Sequence, residues 1–276
     1  MLNNYEQLID NIQEKLIINK HSKVKRQYFI PKSKIEFDSY IVEQKQKVGE
    51  SGTKTNPVDL SYIDFSELAK NEKNDEILSY YFFNDNDIAY LDMSYCKFGG
   101  MATIDHIFEE STLIEVNITG WELYDIHSIS GLFLDCINLE NVIGLETLDI
   151  SKIKRLSAIF GRCSKLKSVD LSNWDVSNSE RFANLFNGCN ELTDVGDLSN
   201  WDLKEALTIR GMFKECFQLK TIKGIEKWKL PNVKNMSSAF LGDKDLNINI
   251  DSWNLSDDVN KKEAFDGTNI NPSWAD

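Results

Sequence analysis

Five cysteines are the residues of this chain best suited to metal or redox chemistry, because a thiolate is both a soft metal ligand and a nucleophile. No two of them form the CxxC pair typical of zinc sites, and their odd number argues against a disulfide framework. Four of the five recur at 26- or 27-residue intervals, as a small buried side chain does in a repeating fold. We therefore predict a structural role, with no metal and no cofactor, for Cys96, Cys136, Cys163, Cys189 and Cys216.

Two series of acidic residues could supply carboxylates for cation binding, for contact with a basic partner or for acid–base catalysis. The first acidic column is Asp64, Glu122, Asp149, Asp175 and Asp202, and the second is Asp59, Asp92, Asp170 and Asp197. The alternative is that these side chains are solvated or cap turns by accepting hydrogen bonds from backbone N–H groups. Repetition along the chain is unlike one unique active site. We predict no catalytic residue and an acidic surface for a basic partner.

The other candidate residues form no arrangement that indicates a reaction. His21, His106 and His127 are scattered, and the basic run "KHSKVKR" (20–26) lacks the interleaved aromatic residues of a nucleic-acid site. No GxGxxG or phosphate-binding loop is present in the sequence. Together with a formal net charge of −13, these observations argue against direct nucleic-acid binding.

A repeat of 25 to 27 residues, after an atypical opening unit around Ile63, positions all of these residues. Five tryptophans each have a phenylalanine twelve residues later, and Leu148 and Cys96 take the tryptophan slot in two further units. One unit cannot bury its apolar face alone, so we predict that about eight units stack around a single continuous spine. The predicted spine is Trp121, Phe133, Leu148, Phe160, Trp174, Phe186, Trp201, Phe213, Trp228, Phe240, Trp253 and Phe265.

Each unit is predicted to contain one short strand and one short helix. The stretch "LKSVDLS" (166–172) has apolar residues spaced for one buried face of a strand. The stretch "SNSERFANLF" (177–186) combines helical apolar spacing with a Ser177/Glu180 capping box, and Gly188 stands where a left-handed residue would end the helix. A strand and a short helix in this length fit the roughly 20–29 residues of a leucine-rich repeat.

The units resemble the BspA-like leucine-rich repeats of bacterial surface proteins. The resemblance is closest in "VDLSNWDVSNSERFANLFNGCNEL" (169–192), is good through "SNWDLKEALTIRGMFKECFQL" (199–219), and covers about residues 88–270. It implies a right-handed solenoid that binds proteins or extracellular ligands and has no catalytic residues. The fold class expected is therefore an α/β repeat, a leucine-rich-repeat solenoid with parallel strands and short helices, plus a small N-terminal α+β cap module.

Residues 1–57 are predicted to form that capping module, and residues 58–276 the solenoid. The first segment has ten Lys/Arg and seven Asp/Glu, whereas the remainder has 21 and 37. An amphipathic helix is predicted at 2–18, strands at "RQYFI" and "KIEFDSYIVEQ", and a linker at "VGESGTKTNP" (48–57). We expect this module to cover the first coil, and Trp274 to cap the other end.

No signal peptide and no run of about 18 apolar residues is visible, so the chain as given is predicted to be cytoplasmic, or at the cell surface if a leader is removed. The favoured function is non-enzymatic binding of a partner protein through the strand face. The residues proposed for contact are Asp149, Asp170, Asp175, Thr193, Asp197, Asp202 and Lys223. The alternatives are an acidic intracellular inhibitor, for example from a mobile element, of a basic nucleic-acid-handling enzyme, and a cell-surface adhesion protein. An enzyme and a structural spacer are the rivals from other classes.

Overall fold

The computed structural model describes residues 27–49, 51–72, 77–82 and 87–274. It is a mixed α/β structure with one parallel four-stranded sheet and few helices. In this part of the chain no helix is both long and apolar enough to cross a lipid bilayer. The elements are α1 (Lys34–Val48), β1 (Val58–Asp59), α2 (Ser66–Glu72), β2 (Tyr90–Asp92), β3 (Glu115–Asn117), β4 (Asn141–Ile143) and short 3-10 helices at Leu145–Thr147, Leu198–Asn200 and Ile225–Lys227.

The strands of consecutive units pair in parallel, in the order β1-β2-β3-β4. The register joins equivalent positions, since Leu91 pairs with Val116 and Val116 with Val142. This confirms the predicted parallel pairing for the first four units. In the predicted strand 166–172 the pairing shrinks to a single bridge between Ser168 and Asp194.

A second ladder of single parallel bridges continues the stacking toward the C-terminus. Each bridge joins one position of a unit to the same position of the next unit, so successive units lie side by side. The bridged residues in order are Thr103, Ser128, Arg155, Arg181, Thr208, Asn235 and Asn260.

The helix predicted at 177–186 is wrong: this stretch is a bridge at Arg181 followed by consecutive turns. Alternate backbone N–H groups donate to the next unit, as Phe182 N does to Thr208 O (3.0 Å) and Phe186 N to Met212 O (2.8 Å). Buried N–H groups need a partner, and here the neighbouring unit supplies it in place of an i→i−4 carbonyl. Gly188 has the predicted positive φ, 76°, but it lies within these consecutive turns and does not end a helix.

Two stacks of aromatic rings, rather than the predicted single column, run through the core. Phe82, Phe108, Phe133, Phe160, Phe186, Phe213, Phe240 and Phe265 stack consecutively with centroid distances of 5.3–6.0 Å. Trp201, Trp228, Trp253 and Trp274 form the second stack at 5.8–6.3 Å. The twelve-residue offset places each phenylalanine across the unit from its tryptophan, and contacts such as Phe240–Trp253 (6.2 Å) join the stacks in one hydrophobic cluster.

Burial of the predicted spine agrees with this arrangement. Every predicted member is at most 6% exposed except Phe265, which is partly buried in the last unit. The five slot tryptophans also connect units by hydrogen bonds, since each indole N–H donates to a backbone carbonyl of the preceding unit at 2.7–3.2 Å. Buried indoles usually need such an acceptor, and stacking provides one in each unit.

The N-terminal segment contains a helix where a strand is predicted. "KIEFDSYIVEQ" lies within α1, whose N-cap Ser33 accepts a hydrogen bond from Glu36 N and whose C-cap Gly49 has φ of 80°. Phe37, Ile41 and Gln44 are buried at helical spacing. Of residues 27–30, the described part of "RQYFI", only Phe29 pairs, in a bridge with Ile63. The predicted helix at 2–18 lies outside the described residues.

Contacts join both terminal segments to the repeat array, and the capping role of these segments stays a prediction. The ring of Phe37 in α1 packs edge-on against Phe65 of the first unit at 5.1 Å. The predicted linker also contacts the array, because the Ser51 carbonyl accepts hydrogen bonds from Ala89 N (3.0 Å) and Tyr90 N (3.2 Å). At the other end, Trp274 stacks on Trp253 and donates to the Ile250 carbonyl (3.0 Å).

Candidate functional site

Three of the five carboxylates in the first acidic column are exposed and held by turns, whereas Asp64 and Glu122 are half-buried. Asp149, Asp175 and Asp202 are exposed and lie in consecutive units. Their Oδ1 atoms accept hydrogen bonds from the backbone N–H two residues later, at 3.1, 3.0 and 3.2 Å respectively. This is the turn-capping geometry of the alternative interpretation, and it fixes one oxygen of each carboxylate in the turn.

The second acidic column has the same local geometry. Asp170 and Asp197 each accept from the serine N–H two residues later at 3.0 Å. Hydrogen bonds from the Ser172 hydroxyl and N–H lower the pKa of Asp170. The Lys223 ammonium lies 2.7 Å from Asp197, and its hydrogen bond, with those from Ser199, lowers the pKa of Asp197 to about 2. Both carboxylates are therefore ionised at neutral pH.

The predicted contact residues divide into paired and unpaired members. Asp197 and Lys223 form an ion pair between neighbouring units, and Asp202 pairs with Lys204 at 3.3 Å. The Thr193 hydroxyl donates to the Lys167 carbonyl at 2.9 Å. Within the described ranges, Asp149, Asp170 and Asp175 have serine partners but form no ion pair, and the charge of Lys152 acts on Asp149 without direct contact. Their role in binding stays a prediction.

The cysteine column is part of the core. All five thiols are free and buried. Four of them donate to a phenylalanine carbonyl of the preceding unit, from Cys136 (2.9 Å), Cys163 (3.0 Å), Cys189 (3.0 Å) and Cys216 (3.2 Å). Burial raises the pKa of Cys136 to about 12 and raises those of the others as well. A protonated, inaccessible thiol is a poor nucleophile and a poor metal ligand.

One group of three carboxylates in the described part of the chain is close enough to hold a cation: Glu109, Glu110 and Asp135. Basic side chains already approach two of its members, since Arg162 pairs with Asp135 and His106 with Glu109. The charge of Arg162 neutralises the cluster in part. The prediction that the chain has no metal site is neither supported nor opposed by this group.

Sequence reasoning missed a row of basic residues on the second ladder. Lys154, Arg155 and Arg181 are exposed, and with His127 and Glu180 they line a cleft of about 260 Å³. The available signal was the repeat itself, because Arg155 and Arg181 occupy one repeat position in adjacent units. The negative net charge of the chain favours an interpretation based on the carboxylates instead.

Comparison with known proteins gives one match. A family model described as "Mycoplasma protein of unknown function, DUF285" matches residues 102–221 and 208–272. No curated protein and no solved structure matches the chain. The matched segments contain the cysteine column from Cys136 onward and most of both ring stacks.

Proposed function

The chain belongs to the DUF285 family, and from this premise we propose that it is a non-enzymatic leucine-rich-repeat solenoid, similar to BspA-like repeats, that binds a partner protein. The support is architectural. Units of 25 to 27 residues pair in parallel, share two ring stacks and exchange backbone hydrogen bonds. Arrays of this kind expose equivalent side chains of every unit on extended surfaces, and such surfaces serve for binding.

The observation that carries the proposal is the set of exposed carboxylates that form no ion pair among the described residues: Asp149, Asp170 and Asp175. Each carboxylate accepts a hydrogen bond from the backbone N–H two residues ahead, so its position is fixed before a partner arrives. Preorganised charges lose little conformational entropy on binding. A basic protein surface is the complementary partner, and we propose that it docks on this face.

Binding rather than catalysis is also favoured by the chemistry of the reactive residue types. The thiols are buried and bonded to carbonyls, and the acidic side chains recur as turn caps in successive units. We propose that the recurrent geometry of the units serves the stack, while their exposed positions provide recognition.

A triple substitution tests the proposal. Asp149→Asn, Asp170→Asn and Asp175→Asn remove three charges and keep a side-chain oxygen to cap each turn. The probe is the basic protein that the unaltered chain captures from an extract of its native source. We expect the triple variant to bind this protein at least about tenfold more weakly than the unaltered chain does. Added salt should weaken the binding further. The matched control is Asp245→Asn, Asp257→Asn and Asp266→Asn, which changes three exposed carboxylates in the last units.

The readout is quantitative capture followed by a titration with the purified partner. Equal affinity for the variant, the control and the unaltered chain would show that this face is not the binding surface. An affinity that is constant from low to high salt would argue against an electrostatic interface.

A further inference from the structure

Two arginines face each other on the second ladder without neutralisation. Arg155 and Arg181 are bridged neighbours in adjacent units and both are exposed. Among the described residues, neither guanidinium has an ion-pair partner, since Glu180 pairs with Lys154. Like charges directly opposite on neighbouring strands repel, so this arrangement is unfavourable in the isolated chain unless an anion lies against it.

The same two units contain two exposed carboxylates that form no ion pair among the described residues, and the charge of Lys152 acts on Asp149 without direct contact. Asp149 precedes Arg155 by six residues, and Asp175 precedes Arg181 by six. A tight turn separates acid from base in each unit, closed by Ile153 N donating to Ile150 O and, in the next unit, by a matching hydrogen bond, each at 2.8 Å. Ile150 and Ile153 at this corner are buried.

We propose that a second copy of this chain docks side by side with the first, so that Asp149 and Asp175 of each copy pair with Arg155 and Arg181 of the other. The cleft of about 260 Å³ beside the arginines gives the incoming carboxylates room. The pairing neutralises four exposed charges on each copy. It would hide part of the acidic face, so self-association competes with the partner of the proposed function.

Spacing favours a second copy over other anions. Neighbouring parallel strands lie about 4.8 Å apart, and this rise separates both the acidic and the basic residues. Alternate side chains of an extended acidic peptide are about 6.6 Å apart, and phosphates along a duplex strand advance about 3.4 Å.

Symmetry selects the orientation. Two-fold dimers are the commonest closed assemblies, and their interface uses the same patch on both copies. A two-fold axis parallel to the stacking direction places the acidic row of each copy against the basic row of the other. A reversed stacking direction would set acid against acid, so the two stacks run parallel.

The test is sedimentation velocity of the full chain at 100 mM and 1 M NaCl. The Debye length falls from about 10 Å at 100 mM NaCl to about 3 Å at 1 M NaCl. Charges that face each other across the interface therefore attract at 100 mM NaCl and are largely screened at 1 M NaCl. We expect a concentration-dependent dimer at 100 mM NaCl that dissociates at 1 M. Arg155→Glu with Arg181→Glu should weaken self-association at least about tenfold, as should Asp149→Arg with Asp175→Arg.

Mixing the two double variants is the decisive step, because one carries only acidic and the other only basic residues at the interface. We expect the mixture to form a heterodimer although each variant alone is monomeric. Asp245→Arg with Asp257→Arg is the control and should leave the dimer unchanged. Circular dichroism confirms that each variant is folded.

Three results would overturn the proposal: a chain that is monomeric at 100 mM NaCl up to about 200 µM, a dimer that the arginine variant does not weaken, or a mixture that fails to associate. A fourth result would overturn the dimer proposal as well: a monomeric chain whose arginines bind a poly-glutamate peptide or single-stranded DNA. The arginine variant retains the acidic columns, so loss of its dimer with partner capture retained separates this proposal from the proposed function.

Discussion

Replacing Trp228 by alanine is expected to lower the free energy of unfolding by about 3 to 5 kcal/mol. The side chain is 0% exposed and lies between the rings of Trp201 (5.9 Å) and Trp253 (5.8 Å). Its indole N–H donates to the Leu198 carbonyl at 3.1 Å. The substitution therefore leaves a cavity in the middle of the stack and removes one of the two hydrogen bonds to the Leu198 carbonyl, which also accepts from Trp201 N at 3.1 Å.

Urea denaturation followed by far-ultraviolet circular dichroism measures this change. Trp274→Ala is the matched control, because Trp274 ends the same stack, is only partly buried and has one tryptophan neighbour. Its cost should be less than half that of Trp228→Ala. Equal costs for the two substitutions would mean that the stack is not continuous through Trp228.

Substituting Asp243 by asparagine is expected to abolish a large pH dependence of stability. Asp243 occupies the cysteine position of its unit and is 1% exposed; its Oδ1 accepts from Cys216 N at 2.7 Å, while Oδ2 has no partner among the described residues. Burial, aided by the nearby Glu215 charge and opposed by the Cys216 N–H, raises the pKa of Asp243 to about 8. The protonated carboxyl offers a donor, as the thiols of this column do.

The direction of this pH dependence of stability follows from proton linkage. Between the ordinary carboxyl pKa of about 4 and the raised value, the folded chain binds one more proton than the unfolded chain, so the contribution of Asp243 to stability falls as pH rises. Over this window the loss is on the order of 5 kcal/mol. The amide introduced by Asp243→Asn does not titrate and supplies both an acceptor and a donor.

Unfolding free energies of the two chains at pH 5 and pH 8 check this prediction. The asparagine variant should gain several kcal/mol relative to the unaltered chain on going from pH 5 to pH 8. Asp245→Asn, two residues away and exposed, should leave the pH dependence unchanged. A constant difference between the Asp243→Asn variant and the unaltered chain at both pH values would show that Asp243 is ionised throughout.

The repeat, its period and its buried columns could be predicted from sequence because burial acts on side-chain type, which is visible in the letters. Backbone conformation inside the unit could not. Phe182, Leu185 and Phe186 have the spacing of a helical stripe, yet their backbone groups bond to neighbouring units. Whether an N–H finds its acceptor four residues back or one unit away depends on tertiary stacking, which local spacing does not encode.

The N-terminal error has a different cause. Ser33 and Glu36 formed a readable capping box and Gly49 a readable stop, but the β-branched and aromatic residues of "KIEFDSYIVEQ" outweighed them. For the candidate site, the sequence indicated the acidic columns and their turn-capping alternative. It did not show that Asp197 and Lys223 pair between units while Asp149 and Asp175 form no ion pair among the described residues, because that depends on the distance between units.

Quenching of tryptophan fluorescence by iodide tests the central claim, that the rings stack in a dry core and leave the polar ladders outside for recognition. Five of the six tryptophans are at most 4% exposed and Trp274 is partly buried. We expect the tryptophans of the native chain to show blue-shifted emission that iodide scarcely quenches until urea unfolds the chain. Emission at the wavelength of free tryptophan in water, with full quenching of the native chain, would contradict it.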